Sequence, residues 1–197
     1  MKNKKDNFFN IKQKNKKLKV GSILISEPML EDYYFRRAVI LILDCDDNGA
    51  MGVVLNKPIF IDINEVISDL SSKPFPLFSG GPVEIDRVFF LHQLSNVISE
   101  SELIIDEVFW SGKQDDLAKY LGTPDFDDSK IKAFIGYSGW ESGQLEKEIE
   151  DGRWVIVDGD RKAIFQEDFN SLWTNMVQSL GEDYHVWLNF PSNPLLN

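Results

Sequence analysis

Ala38-Val-Ile-Leu-Ile-Leu-Asp-Cys-Asp-Asp-Asn-Gly-Ala-Met-Gly-Val-Val-Leu55 is the stretch that decides the fold class. Ala38–Leu43 is a continuous, largely β-branched apolar run, the pattern of a strand buried on both faces. Asp46-Asp-Asn-Gly49 supplies an Asn-Gly turn, Met51–Leu55 returns as the second arm of a hairpin, and Asn56-Lys-Pro58 ends it. A tight hairpin joins antiparallel strands, so the chain does not begin as a βαβ unit.

The rest of the chain agrees. Upstream, Ser22–Ile25 is a short apolar strand stopped by Glu27-Pro28, and residues 29–37 read as a loop or single turn. Downstream, Asp62 is placed to cap a helix over Ile63–Leu70, with Ile63, Val66, Ile67 and Leu70 facing a core, and 71–76 breaks it. Phe78-Ser-Gly-Gly-Pro82 is a glycine-rich turn before the strand Arg87–His92. Short β-like pieces fill 97–110, and Gln114–Leu121 is a helix closed by Gly122. Phe134–Ile149 reads as a strand that turns through Gly136, Gly139 and Gly143 into an acidic helix with Leu145 and Ile149 inward. Trp154–Val157 is a strand, Asp158-Gly-Asp160 a turn, and Asp168–Leu180 the last helix. Hairpins dominate, helices come at irregular intervals and no repeat is present, so the expected class is α+β with mostly antiparallel sheets and several flanking helices.

Composition divides the chain in two. Of 197 residues, the first 20 carry eight lysines and one acid, Asp6, a net +7; the other 177 hold 13 basic and 31 acidic residues, a net −18. Residues 1–19 are expected to be a lysine-rich tail, with Phe8, Phe9 and Ile11 able to dock as a short helix, and 20–197 a single domain. The acidic body would repel nucleic-acid phosphates, so direct DNA binding is not expected of it; contact through the tail is the minor alternative. No apolar run approaches the roughly 20 residues of a membrane helix. The single cysteine, Cys45, excludes an internal disulfide and fits a reducing cytoplasm.

No motif completes a reaction centre. Asp44–Gly49 matches the start of a calcium loop, but position twelve is Leu55 instead of a bidentate Glu and the flanks are strands. Gly136-Tyr-Ser-Gly139 resembles part of a nucleophile elbow, with Asp158, Asp160 or Asp168 and then His185 following in hydrolase order; Trp140 stands where that elbow needs glycine. Glu141, Glu146 and Glu148 oppose an anion site at the 142–150 helix, and nucleotide fingerprints are missing. His92 and His185 have no metal-ligand spacing, and Cys45 lies between Asp44 and Asp46, which disfavour its thiolate. No metal and no cofactor are expected. Trp140 is set apart from the other four tryptophans because a turn would bring it near the surface.

Together, Gly21–Pro28, Phe35–Val39, Gly49–Pro58, Gly80-Gly-Pro-Val83 with Leu91-His92, Ile135–Glu146 and the closing Pro191–Asn197 resemble the AlgH/YqgE family of small bacterial proteins, from about Gly21 onward. The resemblance implies a partly barrel-like sheet arrangement and a transcriptional-regulator label, and it brings no assigned reaction. Family members often have Ala where Ser138 stands, which weakens the hydrolase reading. Carried onto this chain, the family pattern points to Asn56, Gly80, Gly81, Pro82, His92, Tyr137, Trp140, Gln144 and Glu148 as ligand- or partner-binding candidates, with no catalytic residue among them. The expected function is a cytoplasmic, non-enzymatic binding or regulatory protein acting through a protein partner, with Trp140 and Gln144 as its recognition surface. The alternative is a small-molecule binder or enzyme, at its weakest a hydrolase, using a cleft near the glycine-rich turns.

Overall fold

A computed structural model of the chain describes residues 16–61, 63–66 and 76–191. The expected cap Asp62, helix residues Ile67 and Leu70, the 71–75 breaker, the tail aromatics Phe8, Phe9 and Ile11, and the closing 192–197 lie outside the described residues.

The decisive hairpin forms between β2 (Val39–Asp46) and β3 (Gly49–Val54), and Val39–Leu43 is buried throughout. β1 (Ser22–Ser26) lies antiparallel to β2 on one side and to β10 (Trp154–Asp158) on the other. β3 continues the sheet to β9 (Ile131–Glu141), which passes it to β6 (Val83–His92), β8 (Val108–Trp110) and β7 (Glu102–Ile105). The main path is therefore β10-β1-β2-β3-β9-β6-β8-β7, an antiparallel sheet curled into a half-barrel. Two short strands, β4 (Pro58–Ile59) and β5 (Leu77–Ser79), leave this path; β5 runs parallel to β9.

β9 is the hinge of this curl. One edge pairs with β6 over Ile131–Tyr137; the other is shared between β5 at Ala133–Ile135 and β3 at Ser138–Glu141. Here the sequence expectation needs correction. Gly136 and Gly139 do not turn the chain, since β9 runs through both and only Ser142 and Gly143 turn into the next helix. Gly136 instead makes room for another backbone: a Cβ there would stand 2.7 Å from the carbonyl oxygens of Gly81 and Val83. Glycine inside a strand marks such a crossing as readily as a turn. Opposite it, β6 bulges between Val83 and Val88, which bends the sheet.

The helices cover this sheet. α1 (Ile63–Val66) is the described part of the first expected helix, α2 (Gln114–Leu121) matches its expected bounds, and α3 (Gln144–Glu150) follows β9. α4 (Arg161–Ile164), capped by Asp160, follows the expected turn at 158–160 in a stretch to which the sequence reading assigns no element. α5 (Leu172–Ser179) starts four residues later than expected, because the Asp168 carboxylate accepts the Ser171 N–H and holds a turn there. A 3-10 helix at Glu182–Asn189 precedes the C-terminus. α5 and this last segment close the main core through Leu172, Trp173, Val177 and Trp187, with the Trp173 indole donating to Ser26 O at 3.0 Å. No helix among the described residues is long and apolar enough to cross a membrane.

Candidate functional site

Asn56 works as a strand-end clip. Its Oδ1 accepts the Val39 N–H at 2.9 Å and its Nδ2 donates to Arg37 O at 2.9 Å, so one side-chain amide continues the β2 ladder. Gly80 and Gly81 thread between β3 and β9: Gly80 N donates to Ile135 O, Val54 N donates to Gly80 O, and Ser138 Oγ donates to the same oxygen at 3.0 Å. Ser138 is wholly buried with its hydroxyl committed to that carbonyl, which removes it as an exposed nucleophile. Pro82 leaves the crossing at the surface.

His92 is fully buried at the end of β6. Leu94 N–H donates to Nδ1 at 3.2 Å, which places the proton on Nε2, and Nε2–H donates to Ser111 O at 2.9 Å. Burial lowers its pKa from the ordinary value of 6.5, the hydrogen bond to Ser111 opposing this in part. The sign for stability follows. Below pH 6.5 the unfolded chain takes up this proton while the folded chain still resists it, so folding free energy falls as pH drops, then levels once the native imidazole also protonates. Urea denaturation at pH 7 and 5.5 should therefore show a smaller wild-type advantage over His92→Asn at the lower pH; parallel losses in both proteins would contradict this role.

Tyr137 packs edge-on to Phe89, ring centroids 5.9 Å apart. Trp140 is 6% exposed, so the expected surface position is corrected: β9 has not turned when it reaches residue 140, and the side chain points inward. Its indole N–H donates to Glu148 Oε2 at 3.1 Å, and that of Trp154 reaches the same oxygen at 2.8 Å. Gln144 is exposed and joins the cluster from outside, Nε2 donating to Glu148 Oε1 at 3.0 Å while its Oε1 accepts the Glu141 N–H. Phe35 stacks on Trp140 and meets Trp154 edge-on. Trp140, Gln144 and Glu148 thus form one fully hydrogen-bonded knot that pins α3 to β9 and β10.

The nine candidates do not converge on one cleft. His92 pairs with Ile131 and Tyr137 with Val83, so six residues of β9, roughly 20 Å of strand, separate them. Gly80, Gly81 and Ser138 meet at the crossing, Trp140, Gln144 and Glu148 meet at the knot, and Asn56 sits at the start of β2.

Two concavities use residues that sequence reasoning passes over. One, of about 510 Å³, lies between β6 and α2, with Val66, Val88, Phe90, Leu117 and Leu121 among its apolar walls. The other, of about 160 Å³, is formed by Phe78, Lys132, Phe165 and Phe169. A charged residue inside the apolar run Ile131-Lys-Ala-Phe-Ile135 is the available signal for the second. Among the described residues, no group of three or more His, Cys, Asp or Glu side chains gathers as a metal site would require. Cys45 has its pKa raised, by burial first and then by Asp44, Glu146 and Asp46.

A curled antiparallel half-barrel crossed by the Gly80–Gly81 backbone, with an indole–carboxylate knot joining α3 to β9 and β10, places the chain in the α+β class. The AlgH-like family model matches residues 23–185, and the chain belongs to that family. It is 38% identical over 179 residues to a UPF0301 protein of Parabacteroides distasonis, covering 90% of each chain, and 36% identical over 181 residues to one of Chlorobium limicola, covering 92% of this chain and 97% of that one. The solution structure of the AlgH protein of Pseudomonas aeruginosa superimposes with a TM-score of 0.66 at 27% identity, covering 89% of this chain and 98% of the other. A crystal structure from Corynebacterium diphtheriae shares the fold with a TM-score of 0.72 at 20% identity, over 89% and 94% of the two chains.

Proposed function

We propose that this is a cytoplasmic binding or regulatory protein that acts by holding a protein partner, and that the partner docks an apolar segment into the cleft between β6 and α2. The cleft itself carries the reading: at about 510 Å³ it is large enough for two or three apolar side chains, and its floor of Val88, Phe90, Leu117 and Leu121 is apolar. Asp86 and Asp115 line the cleft together with Arg87, whose guanidinium pairs with Glu84 at 2.6 Å, so the two carboxylates, unpaired among the described residues, and the acidic body behind them favour a partner segment flanked by basic residues. The other candidate side chains support the reading from the opposite direction, because Asn56, His92 and Glu148 already spend their polar groups on the fold.

Ala118 lies exposed on α2 and lines the cleft, so Ala118→Arg should fill it without disturbing the core. Affinity purification from the native host is expected to recover a protein with the wild type and with Gln144→Ala, and to lose at least tenfold of it with Ala118→Arg at unchanged Tm. Equal recovery by all three would reject the cleft; loss with Gln144→Ala alone would move the surface to α3.

A further inference from the structure

Lys132 is an anomaly in its surroundings. It sits in the middle of the sheet, paired with Leu91, and is 8% exposed. Among the described residues it enters no ion pair. Its Nζ meets the Gln166 carbonyl oxygen at a long 3.3 Å and the face of Phe78, whose centroid is 5.0 Å away. A buried ammonium with one weak hydrogen bond among the described residues is poorly satisfied there, since it offers three donors. The amine also borders the cleft of about 160 Å³, walled by Phe78, Phe165 and Phe169 and rimmed by the exposed carboxylates of Asp128 and Glu167.

We propose that the Lys132 cleft is a binding site for a small uncharged carbonyl compound, held covalently as an imine on Lys132 Nζ. Desolvation in an aromatic pocket is one of the ways proteins turn a lysine into a nucleophile. Burial lowers the pKa of this amine to about 8, so roughly one molecule in ten carries it uncharged at pH 7, against roughly one in three thousand for an ordinary lysine. The nitrogen lone pair adds to the carbonyl carbon and one N–H proton passes to the oxygen. The resulting carbinolamine loses its hydroxyl with the second N–H proton as water, leaving C=N. No electrons are exchanged with any third species. At liquid packing the cleft holds about five heavy atoms, which limits the ligand to a short aldehyde or ketone. Asp128 and Glu167 at the mouth repel anionic keto acids and favour a neutral ligand. This site is independent of the docking cleft on β6 and α2, with which it shares no lining residue.

The test is reductive trapping on the full chain at pH 7, with propanal and cyanoborohydride, mapping adducts by peptide mass spectrometry. The propyl adduct should form on Lys132 at least tenfold faster than on the exposed Lys113, and Phe169→Trp, which crowds the cleft, should slow Lys132 at least fivefold while leaving Lys113 unchanged. Glyoxylate should show a smaller preference for Lys132 over Lys113 than propanal does. Labelling of Lys132 no faster than Lys113 in the wild type would overturn the site. An unaffected rate in Phe169→Trp would show that the amine is reached by opening of the fold and would equally overturn it. Equal preference with glyoxylate would overturn the assignment to uncharged ligands.

Discussion

Gly80→Ala is expected to abolish the folded protein. A Cβ on residue 80 would lie 2.2 Å from the Gly136 carbonyl oxygen and 3.3 Å from Phe134 Cβ, and the first distance is far inside any tolerable contact. The backbone cannot retreat, because Gly80 is tied on both sides: its N–H to Ile135 O, its carbonyl to Val54 N–H and to Ser138 Oγ. Moving it would break the junction at which β3, β5 and β9 meet, and the curl of the half-barrel depends on that junction. A clash between two buried backbones belongs to the severe tail of substitutions, at about 4 kcal/mol or more, a large part of the total stability of a domain. Gly143→Ala is the comparison. Gly143 has φ +74, but nothing lies within 4 Å of where its Cβ would stand, so only backbone strain opposes the change, at about 1 kcal/mol. Soluble yield and urea midpoints of the two variants check the contrast; a Gly80→Ala protein as stable as Gly143→Ala would refute the account of the crossing.

Glu148→Leu is expected to cost about 3–5 kcal/mol although Glu148 stands only partly buried on a short helix. Its carboxylate accepts the indole N–H groups of both Trp140 and Trp154, which are 6% and 1% exposed. Without it two buried donors lose their acceptor at once, each at about 1–3 kcal/mol, and Gln144 loses its anchor. Glu148→Gln should be much milder, near ~1 kcal/mol, because an amide oxygen can still receive both indoles and only the contact with Gln144 becomes donor against donor. The ratio of the two effects, read by chemical denaturation and by tryptophan fluorescence, separates a scaffold role from a recognition role. A Glu148→Leu protein that keeps wild-type stability yet loses its partner would restore the knot as the binding surface.

Trp140 shows why the knot reads as a surface in the sequence. The glycines around it have the local signature of a turn, and locally nothing distinguishes a glycine that frees the backbone to turn from one that admits a second backbone. The second backbone here is Gly80–Val83, far earlier in the chain. The same holds for the candidate residues. Asn56, Gly80, Gly81, His92 and Glu148 stand out in the sequence as a set, but what each does depends on its partner: Val39 for Asn56, Gly136 for Gly80, Tyr137 for Gly81, Ser111 for His92, the paired indoles for Glu148.

What the chain states by itself is whatever local pattern and composition can carry. The apolar run and acidic turn of Ala38–Leu55 specify an antiparallel hairpin, Gln114–Gly122 specifies a stopped helix, and the family blocks specify membership. Periodicity and turn chemistry act within a few residues, so these features survive without knowledge of the rest. Tertiary structure alone decided that β9 pairs with three strands, that Trp140 faces inward, and that Lys132 meets Phe78 beside a cleft that Phe165 and Phe169 also line. Those outcomes depend on contacts between residues far apart in sequence, where burial and close packing select one arrangement and no short-range signal encodes it.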